Sequence, residues 1–156
     1  MSLPLSVYYA TVTGNAESLA RLAETRALNE GWLARLQNLS EVKPSDLVED
    51  RLALFIVSTW GDGEPPDDAV DFWNDFVRLS PDLTNLRYAV LGLGDRDYSE
   101  FNAFARALDE RLAALGAQRL HERIEADVQF DDTYAEWESR IFPLLAAHRD
   151  FPLSAA

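Results

Sequence analysis

The chain has no cysteine. Disulfides, thiolate metal sites, iron–sulfur ligation by thiolates and cysteine nucleophiles are all excluded by that one absence. Positive charge is also scarce: 14 Lys and Arg stand against 27 Asp and Glu, a formal net charge of −13. A surface of that sign repels phosphate backbones and anionic bilayers, so neither nucleic acid nor membrane is expected as a partner; a protein with a basic docking face is. No apolar run approaches the roughly 18 residues that a membrane span needs. Met1-Ser2-Leu3-Pro4-Leu5-Ser6 has neither the basic region nor the apolar stretch of a secretory signal, and the expected compartment is the cytoplasm.

What is present suits one compact domain. Hydrophobic residues make up 47% of 156 positions, enough to build a core unaided. There is no internal repeat, low-complexity tract or linker, so residues 1–156 read as a single domain. Apolar runs alternate with segments of helical period, the pattern of a parallel sheet wrapped by helices. Strands are expected at Leu5–Ala10, near Trp32–Leu36, at Leu52–Val57, at Tyr88–Leu91 and at Arg119–Ile124. The first helix is expected from Ala16 to Glu30, with Asn15 as its N-cap and Gly31 ending it. A second runs from Ala69 to Arg78, with Val70, Trp73, Phe76 and Val77 on its inner side. A third carries Phe101, Phe104, Leu108, Leu112 and Leu115 inward and stops at Gly116. The last turns Tyr134, Trp137, Ile141, Leu144 and Leu145 inward, with a kink expected at Pro143. A fifth, ill-defined helix falls among residues 40 to 50. In such a sheet the ligand crevice lies beyond the carboxyl ends of the strands.

Three loops occupy that rim. Thr11-Val12-Thr13-Gly14-Asn15-Ala16-Glu17 combines hydroxyls, a glycine and a helix start, where unpaired amides and a positive dipole end suit a phosphate. It contains no Lys or Arg, so a phosphate there is held by neutral donors. Ser58-Thr59-Trp60-Gly61-Asp62-Gly63-Glu64-Pro65-Pro66-Asp67 fixes an unusual backbone path and puts an indole at the crevice mouth, able to cover a flat ligand. Gly92-Leu93-Gly94-Asp95-Arg96-Asp97-Tyr98 turns on glycines and presents a phenol. It is not a dinucleotide fingerprint, because Asp97 stands where a third glycine belongs and the pair follows the fourth strand. Asp95 and Asp97 read as solvated acids rather than metal ligands. Together the loops fit a planar, phosphorylated ligand.

At these residues the chain resembles the flavodoxin-like domains that bind flavin mononucleotide (FMN), over nearly its whole length. Thr13-Gly14-Asn15-Ala16-Glu17, Ser58 to Pro66 and Gly92 to Tyr98 carry the likeness, strengthened by Leu115-Gly116-Ala117-Gln118-Arg119 and Trp137. It looks most like the FMN modules of diflavin reductases, such as the sulfite reductase flavoprotein, and like stand-alone MioC-type flavodoxins. The resemblance implies an α/β three-layer sandwich with a five-stranded parallel sheet in the order 2-1-3-4-5 and helices on both faces. It implies that Thr11, Thr13, Gly14, Asn15 and Ala16 hold the FMN phosphate, with Val12 of the same loop also at the cofactor, and that Trp60 and Tyr98 cover the two faces of the ring. Ser58, Thr59, Gly61, Leu93, Gly94, Asp95, Phe101 and Asn102 are implied to line the ring and ribityl chain, with Asp127 as the acid after strand five. Where many flavodoxins have a further Thr or Ser, this chain has Ala16.

The implied activity is electron carriage rather than catalysis on a substrate of its own. The donor would be an NAD(P)H-dependent flavodoxin or ferredoxin reductase, and the acceptor an iron–sulfur or haem enzyme. Other readings differ in what they need. A flavin-dependent quinone reductase needs its own nicotinamide site, and no segment is left over to build one. An FMN domain cut from a larger reductase would look the same in its loops. A response-regulator receiver needs acids after strand one and an acceptor Asp ending strand three, where this chain reads Tyr9-Ala10-Thr11 and Ser58-Thr59.

Overall fold

The computed structural model describes residues 3–12, 14–59, 64–94, 102–127 and 129–149. In chain order the elements are β1 (Pro4–Ala10), α1 (Asn15–Asn29), β2 (Leu33–Asn38), α2 (Pro44–Val48), β3 (Leu52–Ser58), α3 (Val70–Arg78), β4 (Arg87–Leu93), α4 (Ala103–Ala114), β5 (Gln118–Arg119), β6 (Ile124–Ala126) and α5 (Phe130–Arg149). Short 3₁₀ turns at Leu39–Glu41 and Asp67–Ala69 complete the connections. The sheet order is β2-β1-β3-β4-β5, with β6 also paired to β4, and the pairings are parallel. The expected order and layering are therefore found.

The strands sort their side chains by alternation. Val7 of β1 joins a core with Leu19 and Ala23 of α1 and Trp137 and Ile141 of α5. Its neighbour Tyr8 points the other way, into a core with Phe72 and Phe76 of α3 and Phe104 and Leu108 of α4. All seven residues of β3 are buried, as a central strand covered on both faces must be.

Four local expectations change. The fifth strand is two short strands: Tyr88 pairs with Arg119 and Leu91 with Ile124, so the chain uses five steps where β4 uses three. The Leu120 amide still reaches the Tyr88 carbonyl at 2.7 Å, and the polar residues His121, Glu122 and Arg123 then form the bend. On α3 the buried side chains are Phe72 and Phe76, whose rings stack at 5.1 Å, while Val70 and Val77 are exposed. Trp73 sits edge-on to Phe104 at 5.4 Å, and the larger aromatic surfaces win the inner face. On α5, Tyr134, Trp137, Ile141 and Leu145 are buried as expected, but Phe142 takes the buried place foreseen for Leu144. The helix continues through Pro143 to Arg149. Asn15 is the first helical residue of α1 rather than its cap; Gly14 caps it at φ 93°, a left-handed backbone that glycine adopts without steric penalty. The helix ends as expected, with Gly31 at φ 88°.

Candidate functional site

At the end of β1 the Thr11 amide donates to Asp68 Oδ2 at 3.1 Å, and the Asn38 side-chain amide donates to the same oxygen at 2.8 Å. One carboxylate thus ties β1, the end of β2 and the 3₁₀ turn before α3. The Gly14 amide donates to Thr11 Oγ1 at 2.8 Å. The Ser18 amide then closes the first turn of α1 on the Gly14 carbonyl at 3.0 Å, and among the described residues no side chain caps the helix. The amides of Asn15, Ala16 and Glu17 precede that first helical bond and suit an acceptor from outside. A Cβ built on Gly14 meets nothing within 4 Å, so the space beside the loop is open. An open, uncapped helix start without a cation fits a phosphate held by neutral donors. Val12 is exposed, and Thr13 lies outside the described residues.

At the end of β3, Ser58 is buried. The Thr59 amide donates to the Leu93 carbonyl at 3.0 Å, and Thr59 Oγ1 accepts the Phe104 amide at 3.1 Å. Its hydroxyl is therefore engaged at the start of α4. Trp60 and Gly61 lie outside the described residues, as do Asp95, Tyr98 and Phe101.

At the end of β4, Leu93 is buried and Gly94 donates its amide to the Ala126 carbonyl at 2.9 Å. Asn102 Nδ2 donates to that same carbonyl at 3.2 Å. Asn102 is wholly buried, holds φ 57°, and keeps a buried Oδ1 with no hydrogen-bond partner among the described residues. Gly92 and Gly94 both lie against it. A Cβ on Gly92 falls 2.5 Å from both Asn102 Oδ1 and Ala105 Cβ, and one on Gly94 falls 3.0 Å from the Asn102 amide. Asp127 follows β6 directly, half-buried.

Of the expected site residues, the fold thus gathers Thr11, Gly14, Asn15, Ala16, Ser58, Thr59, Leu93, Gly94, Asn102 and Asp127 along one rim, at the carboxyl ends of β1, β3, β4 and β6. Sequence reasoning missed Asn38 and Asp68, because an acid beside Pro66 and Asp67 looks like any other acid of this acidic surface. The opposite end of the sheet has its own polar feature. A cavity of about 440 Å³ is lined by Ser6, Arg35, Asp46 and Asp50 among others. Asp50 accepts the Tyr8 and Ser6 hydroxyls there; burial pushes its carboxyl above the usual range, although both hydrogen bonds pull it back. Among the described residues no group of three or more His, Asp or Glu is arranged to hold a metal ion, and no helix is long and apolar enough to cross a membrane.

Comparison with known proteins agrees with this geometry. Residues 7–138 match the family model described as Flavodoxin. The chain is 37% identical over 139 residues to the sulfite reductase [NADPH] flavoprotein alpha-component of Bacillus subtilis, covering 88% of this chain and 23% of that protein. With the protein of the same name from Vibrio cholerae it shares 38% over 143 residues, 90% of this chain and 23% of the relative. The chain therefore spans less than a quarter of the length of these relatives. Among solved structures, a flavodoxin of Streptococcus pneumoniae TIGR4 superposes with a TM-score of 0.77 at 27% identity, covering 94% of this chain and 99% of that one. Flavodoxin 1 of Bacillus cereus has the same fold, with a TM-score of 0.77 at 22% identity over 88% of this chain and 96% of that one. The chain belongs to the flavodoxin family and is an FMN-binding domain of the electron-transfer type.

Proposed function

We propose that the chain carries single electrons between a reductase and an acceptor enzyme, with FMN seated over the ends of β1, β3 and β4. When bound, FMN supplies the redox chemistry, and the protein supplies binding, orientation and field. The observation that carries this reading is the open start of α1, where Gly14 turns the chain and, among the described residues, no side chain takes the first amides. In this reading Thr11, Thr13, Gly14, Asn15 and Ala16 hold the phosphate, and Val12 belongs to the same loop. Trp60 and Tyr98 cover the ring faces and exclude water from them. Ser58, Thr59, Gly61, Leu93, Gly94, Asp95, Phe101 and Asn102 shape the cleft, and Asp127 closes it from β6.

The net charge of −13 favours partners with basic docking faces. An NAD(P)H-dependent flavodoxin or ferredoxin reductase suits the donor side, and an iron–sulfur or haem enzyme the acceptor side, in the cytoplasm. The protein turns over no substrate of its own in this scheme. A second reading, the FMN module of a reductase, is favoured by 37–38% identity to sulfite reductase flavoproteins over under a quarter of their length.

Flavin-free protein titrated with FMN should quench flavin fluorescence to a one-to-one end point. Riboflavin, which lacks the phosphate, should bind at least about a hundredfold more weakly, since several charge-assisted hydrogen bonds of roughly 1.5–3 kcal/mol each are lost. Equal binding of the two flavins would remove the phosphate cradle and the reading built on it.

A further inference from the structure

On α4 and its cap, Asn102, Arg106 and Asp109 follow one another at steps of four and three, which places them on a single stripe of the helix. That stripe meets residues 119–126 along a row of polar contacts. Asn102 donates to the Ala126 carbonyl at 3.2 Å. Arg106 grips both carboxylate oxygens of Glu125, at 3.0 and 3.2 Å. Asp109 accepts Arg123 on Oδ2 at 2.6 Å, and Arg119 and the Tyr88 hydroxyl on Oδ1 at 2.8 and 2.5 Å. Arg123 closes the row by donating to Glu125 Oε2 at 2.9 Å. Asp109 is 1% exposed, and among the described residues these partners take the place of water at its two oxygens.

The break between β5 and β6 belongs to the same arrangement. In a regular strand, residues 119 and 123 stand about 13 Å apart, too far for both to reach one carboxylate. Here the chain spends five steps against three of β4, and both arginines reach Asp109. The order of charges also specifies one alignment. Sliding α4 along the strand one way sets Arg106 against Arg123; sliding it the other way sets Asp109 against Glu125. Each slip brings like charges together, and apolar packing has no such preference.

We propose that this charge ladder is a positioning device for the β4–β6 side of the flavin site. It fixes the height of α4 against β6, so that Asn102 and Gly94 meet on the Ala126 carbonyl at the rim. Arg106, Asp109, Arg123 and Glu125 are positioning residues and make no contact with the flavin. The inference rests on the reading that FMN sits over this rim.

The test is a charge swap measured on the whole chain: Arg106→Glu, Glu125→Arg and the double variant. FMN affinity is read by fluorescence quenching, both flavin midpoint potentials by redox titration, and the fold by circular dichroism. Each single swap should weaken FMN binding about tenfold or more and move at least one potential, and the double should recover part of the lost affinity but not all of it, because Arg123 also loses its Glu125 partner. Single variants with unchanged affinity and potentials overturn the proposal, even if they melt earlier, because that is the mark of a merely structural pair. A double variant as weak as the weaker single overturns it too. If a single swap fails to fold, Arg106→Gln and Glu125→Gln are read the same way, and unchanged affinity and potentials in both reject the ladder's role. Wild-type protein is the control: if it binds no FMN, the proposed function falls first and takes this inference with it.

Discussion

At the β1 end of the rim the hydrogen bonds join backbone amides and neutral side chains to one carboxylate, Asp68, with no cation among Thr11 to Glu17. At the β4–β6 end, three guanidiniums and two carboxylates do the holding, and they are matched against one another. The difference follows from what each end has to meet. On the proposed reading, the phosphate loop spends the Thr11 and Gly14 amides on its own shape, keeps those at the start of α1 for the ligand, and brings no cation of its own. Away from the phosphate, charges specify alignment without disturbing the ligand, provided they are neutralised locally. Among the described residues, three arginines against Asp109 and Glu125 leave the ladder close to balance in a chain of −13.

The two ends also use glycine for different reasons, and substitutions separate them. The largest loss is expected for Gly92→Ala, because the new methyl lands 2.5 Å from Ala105 Cβ and Asn102 Oδ1 in a packed interior. Urea unfolding should show destabilisation of about 2–3 kcal/mol; a change under about 0.5 kcal/mol would mean that Asn102 is not wedged against β4. Gly14→Ala meets no atom but must hold φ 93°, and should lose about 1–2 kcal/mol through conformation alone. Gly14→Asn should recover part of that, since Asn tolerates a left-handed backbone, whereas Gly92→Asn should recover nothing. Equal behaviour of the two pairs would erase the contrast.

The smallest effect concerns pH and has opposite signs at the two ends of the sheet. Burial pushes the Glu125 carboxyl up, but hydrogen bonds from Arg106 and Arg123 outweigh it and leave the group below its ordinary value. Its contribution is present above the unfolded value and is lost as pH falls through the folded one. Asp50 is raised instead, by burial, so its contribution is present below the unfolded value and disappears as pH rises through the folded one. Relative to wild type, flavin-free Glu125→Gln should therefore lose ground between the acid range and pH 7, and Asp50→Asn should gain it. Both changes should stay within about 1 kcal/mol in urea titrations at several pH values. Parallel slopes would refute the assignment.

The layered fold was legible because β3 is an unbroken apolar run and because Gly31 and Gly116 mark helix ends. The loops were legible as loops for the same reason. The inner face of α3 was not, since Val70 and Val77 compete with Phe72 and Phe76 for one periodic pattern, and only the ring contacts decide. Gly92 and Gly94 read as turn residues, while Asn102, which a side chain at either place would meet, stands eight to ten positions away and acts through space. The ladder was illegible for a similar reason. The ion pairs that join α4 to residues 119–125 are 10 to 19 residues apart, and in so acidic a chain an isolated Arg or Glu looks like solvated surface.

The stretch between β5 and β6 tells how this protein's length is able to vary. His121 and Glu122 sit at the crest of the bend, and neither takes part in the ladder, so added residues there would grow outward into solvent. Removing two would straighten the chain and draw Arg123 away from Asp109. That stretch is a one-way valve for insertions and deletions, open to growth and closed to loss.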